Sequence, residues 1–283
     1  MDIIEIVKAV FFGIVEGITE WLPISSTGHI ILFNEFVKLN VSEEFMSVFE
    51  VVIQLGAIMA VVILFWKRIF PFKKNCKNSY SNKGILSYVD KDIMTLWFKI
   101  LVSCIPAVII GLSFNDLFEE LFYNPTCIAI ALIVFGIAFI VIENKHKNFK
   151  PKINSLKDLT YRTALIIGVF QLIAAIFPGT SRSGATILGA LMIGVSRVVA
   201  AEFTFILGIP VMFGASLLKI VKYGFAFTGS ELVLLLVGMF VSFIVSFIVI
   251  KFLMDYIKKH DFKVFGWYRI VLGIIVLAYF TFK

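Results

Sequence analysis

Residues 16–29 read EGITEWLPISSTGH, a polar stretch with a proline that separates two apolar runs. A second such stretch, PGTSRSGAT at residues 178–186, interrupts an apolar region in the other half of the chain. We call residues 23–29 the first polar break and residues 178–184 the second polar break. The apolar runs that follow them, 30–37 and 185–195, are shorter than the about 17–25 residues that cross a bilayer. Because irregular backbone at membrane depth is tolerated only where it lines a cavity, the pattern predicts two re-entrant helical hairpins.

The composition indicates an integral membrane protein. Of the 283 residues 60% are hydrophobic and 16% are charged, and the mean hydropathy is +0.98. Soluble domains carry about 45–50% apolar and about 25% charged residues, so a soluble enzyme and a disordered tail are excluded. The three cysteines are an odd number and give no disulfide framework. The first residues include Asp2 and Glu5 instead of a basic segment, which argues against a cleavable signal peptide.

Six further apolar runs are long enough to be transmembrane helices. The sequence therefore predicts an all-α polytopic membrane protein. Each half would hold one hairpin, at 3–37 or 162–198, followed by three spans. Residues 1–150 and 151–283 would then be two inverted-topology repeats within a single membrane domain. The predicted spans are 46–66, 96–114, 125–142, 203–221, 232–254 and 264–282.

Loop charge predicts the orientation. The net charge is +7, and Lys and Arg concentrate in the segments 67–83, 145–157 and 258–263. Cytoplasmic loops collect these residues, so the charge is better explained by membrane orientation than by nucleic-acid binding, and we expect no nucleic-acid partner. The acidic segments 38–45 and 115–124 would then lie outside, as would both termini. In this arrangement the first hairpin opens outward and the second inward.

The two breaks resemble each other in sequence. An ungapped shift of 155 residues places Glu16 on Gln171, Pro23 on Pro178, Ser25 on Thr180 and Ser26 on Ser181. A later similarity relates Trp97-Phe98-Lys99-Ile100 to Trp267-Tyr268-Arg269-Ile270, in a looser register. Inverted repeats with broken helices place their binding site between the repeats, so we expect the two hairpin tips to meet.

Two carboxylates precede the first polar break. Glu16 and Glu20 are four residues apart, so they share one face of a helix. Ionisable groups at membrane depth are costly and mark functional sites by default. The pair could bind a divalent cation, Mg²⁺ or Ca²⁺, or one of them could act as a general base. The alternative is a solvated helix end near the outer surface.

Hydroxyl groups and one arginine occupy the breaks themselves. Arg182 is the most informative residue, because its planar guanidinium fits phosphate oxygens and a buried arginine requires an anion. Helix N-termini behind both breaks would add free N–H groups. The alternatives are ordinary N-caps and an Arg182 that only pairs with Glu16 or Glu20 to brace the repeats. The hydroxyl residues expected to bind the anion are Ser25, Ser26, Thr27, Thr180, Ser181 and Ser183.

Other polar residues are candidates for supporting roles. His29 follows the Ser-Ser-Thr-Gly sequence of the first polar break, whereas His146 and His260 lie in basic loops and are expected to be bystanders. Polar residues inside or beside the spans are expected either to support the site from a second layer or to join helices as packing pairs. They are Glu50, Gln54, Arg197 and Glu202.

Two functional classes explain these features. A transporter of an anionic substrate would use the inverted repeat, the arginine and the helix dipoles. A membrane-embedded phosphatase for a lipid phosphate would also use the carboxylates, the hydroxyls and the histidine. A phosphatase of the phosphatidic acid type needs a second histidine after the Ser-Arg pair, and residues 183–195 contain none.

The two breaks and their flanks resemble the undecaprenyl-diphosphate phosphatase family, the bacitracin-resistance membrane proteins of bacteria. The similarity includes residues 16–29, 178–186, 49–56 and 194–197 and Glu202-Phe203, in matching order along essentially the whole chain. It implies removal of the terminal phosphate from a C55 isoprenoid diphosphate, with a divalent cation, on the outer face of the cytoplasmic membrane. The undecaprenyl phosphate formed would be recycled as a cell-wall carrier, which confers bacitracin resistance.

Within this activity we expect Arg182 and the hydroxyls to hold the diphosphate, and Glu16 and Glu20 to hold the cation or polarise the nucleophile. Ser26 is the candidate nucleophile, with His29 as proton shuttle. Attack by a water activated by Glu20 or His29 is the alternative. The sequence leaves open the metal, whether the carrier lipid is also flipped, and whether the protein is a homodimer.

Overall fold

A computed structural model describes residues 2–72, 88–146 and 150–283. This part of the chain folds into eleven α-helices, a short 3-10 helix at Leu156–Asp158 and two isolated bridges, Phe72–Val89 and Ile153–Val195. The helices are α1 (Ile3–Thr19), α2 (Ser26–Phe33), α3 (Glu43–Leu64), α4 (Trp66–Ile69), α5 (Lys91–Phe122), α6 (Pro125–Lys145), α7 (Tyr161–Ile176), α8 (Arg182–Met192), α9 (Arg197–Tyr223), α10 (Gly229–Tyr256) and α11 (Lys263–Phe282).

Six of these helices are long and apolar enough to cross a membrane: α3, α5, α6, α9, α10 and α11. They coincide with the six predicted spans, which confirms an all-α polytopic membrane protein. Most of these helices extend beyond the predicted limits, as α5 does in covering 91–122 where 96–114 was predicted, whereas α3 ends at Leu64, two residues before its predicted end. Apolar length predicts the part of a helix that contacts lipid, whereas the hydrogen-bonded helix continues into its polar ends.

Helices α1 and α2, and likewise α7 and α8, flank the two polar breaks, as predicted. Helix α2 has 8 residues and α8 has 11, too few to span a bilayer. Both begin at a serine in a left-handed conformation, Ser25 at φ 75° and Ser181 at φ 68°. Each serine Oγ accepts a hydrogen bond of 3.2 Å from the backbone N–H three residues later.

This shared geometry corrects the register of the repeat. Ser25 corresponds to Ser181, so the ungapped pairing of Ser26 with Ser181 is one residue wrong at the tips. The cause is one extra residue between Pro178 and α8, where Gly179 takes φ 89°. Only glycine adopts such a conformation without strain, so the insertion sits where the backbone can absorb it.

The two halves exchange their packing partners. Helix α1 packs against α10, and α7 packs against α5, so each hairpin lies on the second span of the other half. Helices α3 and α9 pack against each other, as do α6 and α11. Two helices related by a pseudo-twofold axis would pair in this way. The division at residue 150 and the opposite orientation of the halves stay predictions.

Several basic residues of the Lys- and Arg-rich segments and their neighbours lie together at one end of the helix bundle, which we call the basic end. Arg68 pairs with Glu202 at the start of α9, and Lys157 pairs with Asp92 at the start of α5. The backbone N–H of Phe262 donates to Glu143 near the end of α6. Residues outside the described part include Lys73, Lys74, Cys76, Lys77, Lys83 and Lys147, on which part of the orientation argument depends, and the side chains of Asp116 and Glu119.

Candidate active site

The two polar breaks meet in the interior of the bundle. Arg182 at the start of α8 donates from Nη2 to Glu20 Oε1 at 2.9 Å. Ser183 Oγ donates to the backbone carbonyl of Glu20, also at 2.9 Å. The second polar break is therefore joined to the end of α1, just before the first polar break, by an ion pair and by a side chain–backbone hydrogen bond.

A third element, α11, holds both tips. Arg269 is fully buried, and its guanidinium donates to the carbonyls of Pro23 (3.2 Å), Gly179 (2.9 Å) and Thr180 (2.8 Å). Hydrogen bonds from a charged donor are stronger than neutral ones, so this residue fixes the spacing between the breaks. Sequence reasoning did not assign Arg269 to the site. The available signal was an arginine inside an apolar span, which membrane helices rarely carry without a function.

The Glu20 carboxylate connects the arginine to a hydroxyl. Its Oε1 pairs with Arg182, and its Oε2 accepts a hydrogen bond of 3.1 Å from Ser26 Oγ. Arg182 also donates from Nη1 to the Thr204 carbonyl at 3.1 Å and from Nη2 to Met212 Sδ at 3.3 Å. Its buried Nε has no partner among the described residues, so one donor of the guanidinium remains for a ligand.

Glu16 lies one helical turn before Glu20 and is completely buried. Neither of its carboxylate oxygens has a hydrogen-bond partner within the described part of the chain. Glu20, Glu50 and Arg182 are close enough to act on its charge. Orphaned carboxylate oxygens at this depth need a proton or a cation as compensation.

The residues around Glu16 can supply part of a cation shell. Carboxylate oxygens are the ligands that Mg²⁺ and Ca²⁺ prefer, and Mg²⁺ is commonly held by one or two carboxylates together with substrate phosphates. Across residues 2–72, 88–146 and 150–283, no three His, Cys, Asp or Glu side chains are grouped to hold a metal ion. The carboxylate oxygens of Glu16 are therefore suitable as part of a cation site, and the described His, Cys, Asp and Glu side chains do not complete one.

The remaining hydroxyls surround the junction. Ser25 and Ser181 are the caps of α2 and α8, and Ser181 Oγ is 3.2 Å from Ser183 Oγ. Thr27 is half-buried beside the cap. Thr180 is fully buried, and its Oγ1 has no partner among the described residues. The breaks thus bring hydroxyl groups and two helix N-termini to one place.

His29 does not face Ser26. Its Nδ1 is 2.7 Å from the Ser25 carbonyl oxygen, and its Nε2 is 2.7 Å from the hydroxyl of Tyr268 on α11. Both ring nitrogens are therefore engaged elsewhere, and the expected Ser26–His29 proton shuttle is not the arrangement of this structure. The three-residue spacing brings the backbones close, but the ring turns toward α11. Tyr268 was not recognised from the sequence, because nothing local marks a partner 239 residues away.

The four supporting candidates separate into two groups. Arg197 forms a two-pronged ion pair with Glu143, and Glu202 pairs with Arg68, both at the basic end of the bundle. In these contacts the two residues join elements of the bundle, which is the second of the two roles expected for them. Glu50 lies near Glu16 and near Lys219, and Gln54 is half-buried one turn further along α3.

Comparison with known proteins gives a consistent family. The family model described as bacitracin resistance protein BacA matches residues 9–275. The chain is 63% identical over 281 residues to an undecaprenyl-diphosphatase of Desulfitobacterium hafniense, covering 99% of this chain and 98% of the relative. It is 61% identical over 280 residues to undecaprenyl-diphosphatase 1 of Clostridium acetobutylicum, covering 99% of each.

An undecaprenyl-diphosphatase of Enterococcus faecalis is 59% identical over 277 residues, covering 98% of each chain. These relatives carry the name of a phosphatase, so they do not support the transporter alternative. The match includes both polar breaks and all six spans. The chain therefore belongs to the bacitracin resistance protein BacA family.

Proposed function

We propose that this chain is an undecaprenyl-diphosphatase, an integral-membrane hydrolase that removes the terminal phosphate of undecaprenyl diphosphate. The observation that carries this conclusion is the Arg182–Glu20–Ser26 cluster, where an anion-binding guanidinium and a carboxylate-bound hydroxyl meet at two helix N-termini. The names of the relatives agree with this chemistry. A lipid phosphate is also a substrate that can enter a site inside a helix bundle directly from the membrane.

Phosphoryl transfer depends mainly on positioning and on neutralising the charge of the phosphate oxygens. Arg182 can hold the terminal phosphate through its unpaired Nε, and can exchange the Glu20 carboxylate for phosphate oxygens. The hydroxyls of Thr27, Thr180 and Ser181 and the N–H groups of α2 and α8 complete the donor set. Arg269 contributes by keeping the two breaks at a fixed distance.

Ser26 is the proposed nucleophile, with Glu20 as the group that accepts its proton. The supporting contact is the 3.1 Å hydrogen bond between Ser26 Oγ and Glu20 Oε2. A nucleophile and its base within hydrogen-bond reach are the usual arrangement for covalent catalysis. Attack by water, with Ser26 as a phosphate ligand, stays the alternative.

A divalent cation, Mg²⁺ or Ca²⁺, belongs to this proposal. Glu16 would hold it through its two unpartnered oxygens, with Glu20 as a second ligand when Arg182 turns to the substrate. When bound, such a cation neutralises charge on the phosphate oxygens.

We place the protein in the bacterial cytoplasmic membrane with the site facing outward. The support is the basic end of the bundle, where Arg68 and Lys157 lie beside segments rich in Lys and Arg, as cytoplasmic loops are. The partners in this proposal are the C55 diphosphate and membrane lipids, which the exposed apolar side chains of the spans contact. These exposed apolar side chains are also compatible with a homodimer. The product would return to cell-wall synthesis as the carrier lipid, and bacitracin resistance follows from its recycling.

The test is phosphate release from C55 isoprenoid diphosphate by purified protein, with and without a chelator. We expect one inorganic phosphate per substrate, loss of activity with the chelator, and recovery when Mg²⁺ or Ca²⁺ is added. Unaltered activity in the chelator would remove the cation from the proposal. Absence of phosphate release, with movement of intact diphosphate between vesicle leaflets, would favour a transporter instead.

A further inference from the structure

We propose that Tyr268, whose hydroxyl is oriented by His29, forms a binding position for the phosphate that remains attached to the lipid. This inference rests on the proposed phosphatase function and names a part of the site that the Arg182–Glu20–Ser26 cluster does not use. A diphosphate carries two phosphates, and each needs its own donors. The second set lies where α11 meets the first polar break.

The geometry of His29 fixes its hydrogen atoms. The Ser25 carbonyl can only accept, so Nδ1, at 2.7 Å, carries the hydrogen in that contact. In the neutral ring Nε2 is then an acceptor, and the Tyr268 hydroxyl, also at 2.7 Å, donates to it. The two rings are stacked, with centroids 5.6 Å apart and an angle of 11° between their planes. Tyr268 therefore holds the side of the imidazole that faces away from Ser25.

The two side chains differ in exposure, which indicates the side from which a ligand could reach them. His29 is 4% exposed, whereas Tyr268 is 46% exposed. Tyr268 thus connects a buried imidazole to the exposed surface of α11. A phosphate linked to an isoprenoid chain would approach from that side, because its tail stays in the lipid.

The local charge favours an anion at this position. Arg269, the next residue on α11, is fully buried and donates to three backbone carbonyls. Among its described contacts there is no carboxylate that would cancel its charge. A buried positive charge and a hydroxyl donor together make a suitable environment for phosphate oxygens.

This arrangement divides the work of the reaction. The nucleophile gives its proton to Glu20, and a bond forms between the nucleophilic oxygen and the terminal phosphorus. The bond from that phosphorus to the bridging oxygen breaks, and the bridging oxygen keeps the electron pair as part of the lipid monophosphate. Tyr268 turns its hydroxyl from Nε2 to an oxygen of this phosphate. No proton transfer at His29 is required.

The test compares inhibition by the two products in the Tyr268→Phe enzyme. The substitution keeps the ring that stacks on His29 and removes only the hydroxyl. We expect inhibition by C55 isoprenoid monophosphate to weaken about tenfold, the effect of losing one hydrogen bond to a charged group. Inhibition by inorganic phosphate should stay within about twofold, because Arg182 and Ser26 are untouched.

Two comparisons make the result specific. Tyr279→Phe removes a hydroxyl from the same helix, where the ring packs on Phe36, and should change neither inhibition constant. In a His29→Ala background, Tyr268→Phe should add little, because residues that act as a unit are not additive. The proposal would be overturned if Tyr268→Phe left inhibition by the monophosphate unchanged, or if it weakened inhibition by both products equally. A wild-type enzyme without phosphate release would instead contradict the phosphatase function itself.

Discussion

The guanidinium of Arg182 donates hydrogen bonds to a carboxylate, a backbone carbonyl and a thioether. These three bonds do not use all of its N–H groups. Arg182→Lys keeps the charge but loses the planar fork that matches two phosphate oxygens. We expect turnover to fall about 10²–10³-fold, which corresponds to about 3–4 kcal/mol of transition-state stabilisation. The measurement is the initial rate of phosphate release by purified protein that retains its thermal unfolding transition.

Arg197→Lys is the matched control, because Arg197 forms the other two-pronged pair with a buried glutamate, Glu143. That pair lies at the basic end of the bundle, so its loss should lower the unfolding temperature and leave the turnover of the folded protein within about threefold. Near-normal turnover in Arg182→Lys would reduce Arg182 to a brace between the two breaks.

Ser25 and Ser26 are adjacent but differ in what they contact. Ser25 caps α2 and is almost fully buried, whereas Ser26 donates to Glu20. Ser26→Ala should abolish turnover if its oxygen attacks the terminal phosphorus. Ser25→Ala should cost about 1 kcal/mol of stability and keep most of the activity, since it removes only a cap.

The decisive measurement at this position is acid quench of a single turnover with terminally ³²P-labelled substrate. A serine nucleophile predicts protein-bound phosphate that disappears in Ser26→Ala. If no bound label is found and Ser26→Ala retains more than about 1% of the activity, Ser26 is a phosphate ligand and water is the nucleophile.

At the scale of helices, α3 and α10 touch through their backbones. A Cβ built on Gly56 would lie 1.9 Å from the carbonyl oxygen of Met239. Gly56→Ala therefore forces the two helices apart and should destabilise the protein by about 1–3 kcal/mol or more. Thermal unfolding in detergent measures the effect.

Gly111→Ala serves as the comparison for Gly56→Ala. Gly111 lies inside α5, and a Cβ there would meet nothing within 4 Å. Alanine is the better helix former, so this change should be neutral or stabilise by up to about 1 kcal/mol. If both substitutions lowered the unfolding temperature equally, the close approach of α3 and α10 would not be the reason for a glycine at position 56.

The same scale shows what the sequence could predict. Apolar length predicted all six spans, and proline with clustered hydroxyls predicted both breaks, since these signals are local. The one-residue shift at the tips depends on the conformation of Gly179, which residue identity alone does not reveal. The partners of His29 and Arg197 were missed because they come from distant helices, and spacing along one helix says nothing about its neighbours.

For the whole molecule, the predicted topology depends on loop charge and on helix packing. Arg68 and Lys157 lie at the basic end, and the two halves exchange their packing partners. If the basic end is cytoplasmic, the start of α3 is outside and the connection after α6 is inside. The site would then release phosphate to the outer surface.

Single cysteines test this topology in a variant whose Cys76, Cys104 and Cys127 are replaced and which retains activity. Glu43→Cys, at the exposed start of α3, should react with a membrane-impermeant maleimide on intact cells. Lys150→Cys, exposed after α6, should react only after the membrane is permeabilised. Both positions are accessible in the structure, so a difference between them reports the side of the membrane and not burial. Labelling at position 150 in intact cells would contradict the inverted topology. The outward-facing site would then lose its support, while the contact between the two breaks would remain.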